Sequence, residues 1–514
     1  MRCVAGVGLL MLVGCNRIFG ISETQPWDAP PPVHYATLTW QLATTASDGK
    51  PATSLSYPAF AAGKAPQIRI ASADGAFAAV AYESDGRIML PPSFFGDEPT
   101  FAPMPWRLEY QLAPRGMTAS PPHEVQWVPD DKVGHVVVPI VGRLDRGTVP
   151  MGGGYRVTPT NPPASYTAPR IWTTGLWTDG LANPSGTTID YDFANATWLS
   201  GDNGPPDPAQ GDRAYAVDFI VDPGTQCRVA VGGAGIDSPA IAANTHTDES
   251  VSWDTKRQPI SSTLVDLGFI QRLAMGLGKL HGSFNSAGSG LLYGAAPSTV
   301  APAPFPGLTG SSPVFPLPIP VMLPVVQCPF NINPLPAAAL PGKLGDFPLV
   351  LHVQLVDSRK VGTINFYSGL ETVITLSSGT FTVAFPAAMP TRPTLATSVA
   401  AAPLDLAGDA DQIAAGTATG PLLLAFVPEA GLDPPDYYDV LLHKLDGDTL
   451  TTERIYTVSA PQVRIDPSVF VGGAEYVFEI RSFKGHPLAA RGDFTLVQYP
   501  YGSAVVFTRT FKIQ

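Results

Sequence analysis

Asp190, Asp192, Asp202, Asn203, Asp207 and Asp212 fall within 23 residues, with Gly201 and Gly204 among them. Carboxylates and amides gathered on glycine-rich loops can supply the oxygen ligands that Ca²⁺ takes. The spacing matches no EF-hand, so solvated loop acids are the other reading. Beside them stand Trp172, Trp177, Tyr191 and Trp198. Aromatic faces can stack on a sugar ring while carboxylates accept hydrogen bonds from its hydroxyls. The stretch from Trp172 to Asp212 is therefore a candidate glycan site, or a glycoside hydrolase cleft if two carboxylates flank it. The alternative is that the four rings are core residues of a sandwich.

Other chemistry finds less support. The eight histidines are scattered, with no zinc-ligand spacing and no His-Glu-x-x-His. No Gly-x-Ser-x-Gly elbow is present; Gly282 to Gly290 reads as a loop. Gly232-Gly233-Ala234-Gly235 follows a strand, but no dinucleotide-binding helix continues from it, so a turn is expected. The net charge of −12 argues against nucleic acid, which needs clustered Lys and Arg. A non-enzymatic protein that binds or displays is the expectation, with no cofactor unless the acidic loop holds Ca²⁺.

The elements that would position these residues are strands. Trp106 to Leu112 alternates strictly, as do Ile68 to Ile70 and Val125 to Trp127, and Asp-Gly pairs punctuate them. The pattern predicts an all-β chain of tandem sandwiches: one at 33–148, a larger β-rich domain at 149–393 and a third at 394–514. One helix is expected at most, at 262–280, where leucines recur near helical spacing against three glycines. The stretch 297–348 holds 14 prolines in 52 residues. Proline cannot donate to a ladder, so this segment is excluded from central strands. It is expected to lie extended on a sheet face, or to serve as a docking strip in an envelope assembly.

Two resemblances add to this. Met1-Arg2, an apolar run to Leu12, and then Leu12-Val13-Gly14-Cys15 resemble the signal and lipobox of bacterial lipoproteins. The run is too short to span a bilayer. The resemblance implies removal of 1–14, acylation of Cys15 and attachment of the exported chain to a membrane. Asn16 in place of Asp favours the outer membrane. Residues 15–32, with Pro30-Pro31-Pro32, then read as a tether. In that oxidising compartment Cys227 and Cys328 are expected to pair, two separate thiols being the alternative. At the other end, Leu422-x-Leu424-x-Phe426, Tyr438-x-Val440-x-Leu442, Val463-x-Ile465 and Gly473 to Ile480 resemble strands of the fibronectin type III fold. Phe426 stands where that family usually has Trp. The resemblance implies a tyrosine corner, in which Tyr476 bonds to backbone upstream of it.

Overall fold

The computed structural model describes residues 35–42, 54–55, 65–72, 75–80, 87–89, 106–112, 120–126, 135–140, 153–161, 170–173, 176–182, 187–192, 197–198, 214–221, 228–236, 241–252, 258–260, 264–265, 290–297, 319–320, 330–332, 349–361, 364–375, 382–383, 385–396, 402–407, 414–416, 420–494, 498 and 500–513. The signal, Cys15, the tether, Cys227 and Cys328 lie outside them. The chain is all-β. Among the described residues its helical pieces are two single turns, Pro467–Val469 and Ala489–Arg491. Within the expected helix, Leu264–Val265 is instead a strand, paired in parallel with Thr382–Val383. The glycines that weaken a helix there leave the apolar residues free to add to a sheet. Residues 266–280 are outside the described set.

The best-packed unit runs from Phe385 to Ile513 and has two layers. One sheet is ordered Leu404–Asp405, Pro390–Ala396, Leu422–Pro428, Gln462–Ile465. The other contains Tyr437–Asp446, Thr449–Val458, Glu475–Lys484 and Tyr501–Phe507. Leu422, Leu424 and Phe426 alternate inward, with Leu423 and Val427 outward. The Phe426 ring meets Tyr438 edge-on, with 4.9 Å between centroids. Around this contact lies a core that includes Val440, Leu442, Tyr456, Val463, Tyr476, Phe478 and Phe511. The Tyr476 hydroxyl accepts from the Val471 amide at 2.7 Å, the upstream bond a tyrosine corner requires. Tyr476→Phe leaves that amide without its acceptor and should cost about 1–2 kcal/mol in a urea melt at neutral pH.

This unit's second sheet extends far beyond it. Among the described residues it has 14 strands, drawn from all three sequence segments. Tyr501–Phe507 pairs with Ile364–Thr375, which continues through Leu349–Val361 and Gly290–Pro297 to the short edge strand Ile319–Pro320. The one described pair of the sheet from the proline-rich stretch thus sits at an edge, where a missing N–H costs least. At the opposite side, Thr449–Val458 pairs in parallel with His123–Val125, followed by Trp106–Gln111, Gln67–Ser72 and Ala78–Ala79. The N-terminal strands so complete the C-terminal sheet. A second N-terminal sheet centres on Tyr35–Leu42, joined in parallel by His135–Ile140. Its Trp40 meets Tyr110 edge-on, with centroids 5.2 Å apart.

The alternation in Trp106–Gln111 predicts one wet face, yet Trp106 through Tyr110 are all buried. Arg107 and Glu109 are enclosed because the C-terminal unit packs at that joint and supplies an opposite charge. Gly232 to Gly235 likewise is not a turn. It lies within the strand Arg228–Ile236, beside a register shift between Asp218 and Phe219 on its partner. Glycine in a strand commonly marks such an irregularity.

Candidate functional site

The acidic and aromatic stretch folds as a sandwich of its own. One sheet is ordered Leu181–Ala182, Ile189–Asp192, Gly154–Pro159, His246–Val251. The other is ordered Thr197–Trp198, Leu176–Asp179, Arg170–Thr173, Ala214–Val221, Arg228–Ile236. Tyr155, Val157, Ile189 and Tyr191 from the first sheet share a core with Ile171, Ala216 and Ile236 from the second. A period of two decides the rest. In the first sheet Asp190 and Asp192 alternate with buried Ile189 and Tyr191 and so belong to its outer face. The Asp190 carboxylate accepts from Arg156 Nε at 2.8 Å, with Asp248 3.9 Å from the same guanidinium. Gly154 is required here: a Cβ at its position would fall 2.0 Å from the Tyr191 carbonyl oxygen.

This divides the candidate residues. Tyr191 is fully buried, with Tyr155 opposite it in register, so it is a packing residue and not a stacking platform. Its alternation with two aspartates is the reason: a strand that wets its acids must bury the ring between them. Trp198 pairs with Leu176, which pairs in the sheet with Thr173, two residues from buried Ile171. Its position therefore belongs to the core-side face. Trp172 and Trp177 are directly opposite one another, and Trp172 is also opposite Tyr215. These three positions form one row on the face away from Ile171 and Ala216. Sequence reading missed Tyr215; its alternating run marked a strand, but not its neighbour. Asp202, Asn203, Asp207 and Asp212 lie outside the described residues, and among the described residues no three metal-ligating side chains converge. Asp190 is instead engaged by Arg156.

A second concentration of reactive side chains lies where His123–Val125 joins Thr449–Val458. On one face, Arg454 Nη1 donates to Glu109 Oε2 at 2.6 Å and to Glu124 Oε2 at 2.9 Å. Arg107 Nη1 donates to the other Glu124 oxygen at 3.0 Å, and Arg69 Nε to the other Glu109 oxygen at 2.6 Å. Gln126 Nε2 adds a bond to Glu124 at 2.9 Å, and its Oε1 accepts from the Arg464 amide at 2.9 Å. Burial nevertheless pushes the Glu124 carboxyl above the usual carboxylate range, against the pull of Arg107 and Arg454.

A chain of hydrogen bonds runs on the opposite face. The Tyr110 hydroxyl is 2.7 Å from His123 Nδ1, and His123 Nε2 is 2.6 Å from Thr457 Oγ1. Thr457 donates in turn to Asp439 Oδ1 at 2.5 Å. Desolvation holds His123 down to about 3. Asp439 is pushed up to about 6 by burial, with Thr457 and Arg481 opposing. Nearby, Glu479 bonds His443 at 3.0 Å and Arg481 at 2.6 Å. Despite burial, Arg481 and His443 bring its carboxyl down to about 2. Acids, bases and guanidiniums here are each other's partners across strands.

No family model matches the chain, and no curated protein matches it. Among solved structures, N-cadherin EC1-4 of Drosophila aligns at 8% identity over 93% of this chain and 98% of that chain, with a TM-score of 0.10. A likeness that faint carries no argument about fold or function.

Proposed function

We propose that the chain is an exported, lipid-anchored, non-enzymatic protein of the bacterial envelope whose body presents a binding face. The observation that carries this reading is the joint between His123–Val125 and Thr449–Val458. The first strand after the anchor, Tyr35–Leu42, belongs to a separate sheet, but Gln67–Ser72, Ala78–Ala79, Trp106–Gln111 and His123–Val125 that follow it are part of the C-terminal sheet. A pull on Cys15 would pass into that unit through the joint rather than along the peptide chain alone. The buried ionic groups at the joint also serve one another: Arg107, Glu109, Glu124 and Arg454 hold strands, and His443, Glu479 and Arg481 do the same one strand further in. Such an arrangement stiffens a body. The lipobox at Leu12 to Cys15 supports the membrane address, and two or more acyl chains are what stable anchoring takes.

The test is fractionation of cells producing the wild type and Cys15→Ala. The wild type is expected in the membrane fraction, and the variant in the soluble exported fraction or as an uncleaved precursor. A variant that stays membrane-bound after processing would sink the reading.

A further inference from the structure

The strand His135–Ile140 lies beside Tyr35–Leu42 and, among the described residues, pairs with no other strand. Its open edge is covered by a loop of the C-terminal unit, residues 485–494. The Val137 amide donates to the Gly492 carbonyl at 2.8 Å, and the Phe494 amide donates to the Val137 carbonyl at 3.4 Å. Asp436 fixes where the loop begins. Its carboxylate accepts from Lys484 Nζ at 2.9 Å and from the Gly485 and His486 amides at 2.8 and 2.7 Å. Gly485 has a φ of +100° there, a conformation that favours glycine. His486 is 0% exposed, with the rings of Tyr437, Phe483 and Tyr501 around it at centroid distances of 5.0, 6.1 and 5.2 Å. Its imidazole also bonds the Phe494 backbone, so one side chain ties the start of the loop to the residue that holds Val137.

The titratable groups against this ring are Asp436, Tyr437 and Tyr501. Asp436 is already engaged by Lys484. The loop's own charged residues are Arg491, which is exposed, and Asp493. Desolvation outweighs the pull of Asp436 and of the Phe494 bond and brings the imidazole down to about 4. We propose that 485–494 is an acid-released latch: protonation of His486 swings the loop off Val137 and uncovers the edge of His135–Ile140 while the sheets on both sides stay folded. A charged imidazole is better solvated outside an aromatic cage, and the loop must open to release it. Neither sheet depends on the loop. His135–Ile140 keeps its ladder to Tyr35–Leu42, and His486 is not part of the large C-terminal core. The uncovered strand would present a free amide and a free carbonyl that another strand can pair with. The inference goes beyond the membrane address and does not depend on it.

Hydrogen exchange of the detergent-solubilised full chain at pH 7 and pH 5 tests this, read as protection factors so that the intrinsic pH dependence of exchange is divided out. His486 takes up its proton near 6.5 in the open loop and near 4 in the closed one. Protection of the Val137 and Phe494 amides should therefore fall about twentyfold from pH 7 to pH 5. At both pH values it should be lower than that of the Phe426 amide, which donates to Pro461 in the C-terminal core. His486→Phe keeps a ring in the cage and cannot charge, so the fall should vanish. His123→Gln, at the other joint, should leave the fall in place. If His486→Phe does not fold, the wild type and His123→Gln still decide. Four outcomes would overturn the proposal: no fall at Val137 and Phe494, protection there equal to that of Phe426 at both pH values, the same fall in folded His486→Phe, or its loss in His123→Gln.

Discussion

Arg454→Met should destabilise the chain by about 3 kcal/mol, with the loss concentrated where the N-terminal strands join the C-terminal sheet. Arg454 contacts two buried carboxylates, Glu109 and Glu124, which are 4% and 2% exposed. Removing one member of a buried ion pair typically costs about 3–5 kcal/mol, because the remaining charge stays out of water without compensation. Arg69 stays paired with Glu109 and Arg107 with Glu124, which sets the expectation at the lower end. Adding Glu124→Gln to the variant should recover only part of the loss, since it neutralises one of the two carboxylates left behind while Glu109 stays charged and Arg107 loses its carboxylate partner. A double-mutant cycle in urea would measure that coupling. Hydrogen exchange should show faster opening of 106–111 and 123–125 than of the Leu422–Pro428 strand. A loss below about 1 kcal/mol would mean that the network behaves like an exposed one.

Acid should weaken the fold well above the ordinary carboxylate range. His123 is held down to about 3 and His486 to about 4, both by desolvation. His486 is fully buried, ringed by Tyr437, Phe483 and Tyr501. Each ring stays neutral in the fold while the unfolded chain takes up a proton below about 6.5, so stability falls as pH drops through that value. Asp439, raised to about 6, works the other way: the fold binds its proton more tightly, and stability is regained as pH falls from 6 towards 3.8. Glu479, lowered to about 2, contributes at pH 7 and pH 5 alike and loses its effect only below 4.5. Between pH 7 and pH 5 each histidine removes up to about 2 kcal/mol and Asp439 returns roughly 1, a net loss of roughly 2–3 kcal/mol. Urea midpoints at the two pH values check this. His123→Gln cannot charge and should remove about two thirds of the net loss. Equal or greater stability at pH 5 would contradict the buried placement of both histidines.

The strands were legible because their period shows in single runs. Leu422-x-Leu424-x-Phe426 and Ile68-x-Ile70 face the core as their alternation predicts. What joins strands was not legible. Arg107, Glu109 and Glu124 look like a solvated face until Arg454, 345 residues from Glu109 in sequence, comes up against them. The aromatic residues show the same limit. Four aromatics close in sequence were a reasonable group, but pairing keeps two, assigns Tyr191 to the core, and adds Tyr215 from a strand 38 residues beyond Trp177. Periodicity assigns a residue to a face; only register says which residues share it. The helix expected at 262–280 had leucine spacing in its favour, and Leu264–Val265 nonetheless pairs as a strand, since tertiary pairing overrides a marginal local preference.

Intact mass spectrometry of the protein recovered from membranes tests the proposed lipid anchor most directly. The predicted result is a chain that begins at Cys15, carries acyl groups there and loses the added mass in Cys15→Ala. An unmodified chain, or one that begins at any other residue, would contradict it.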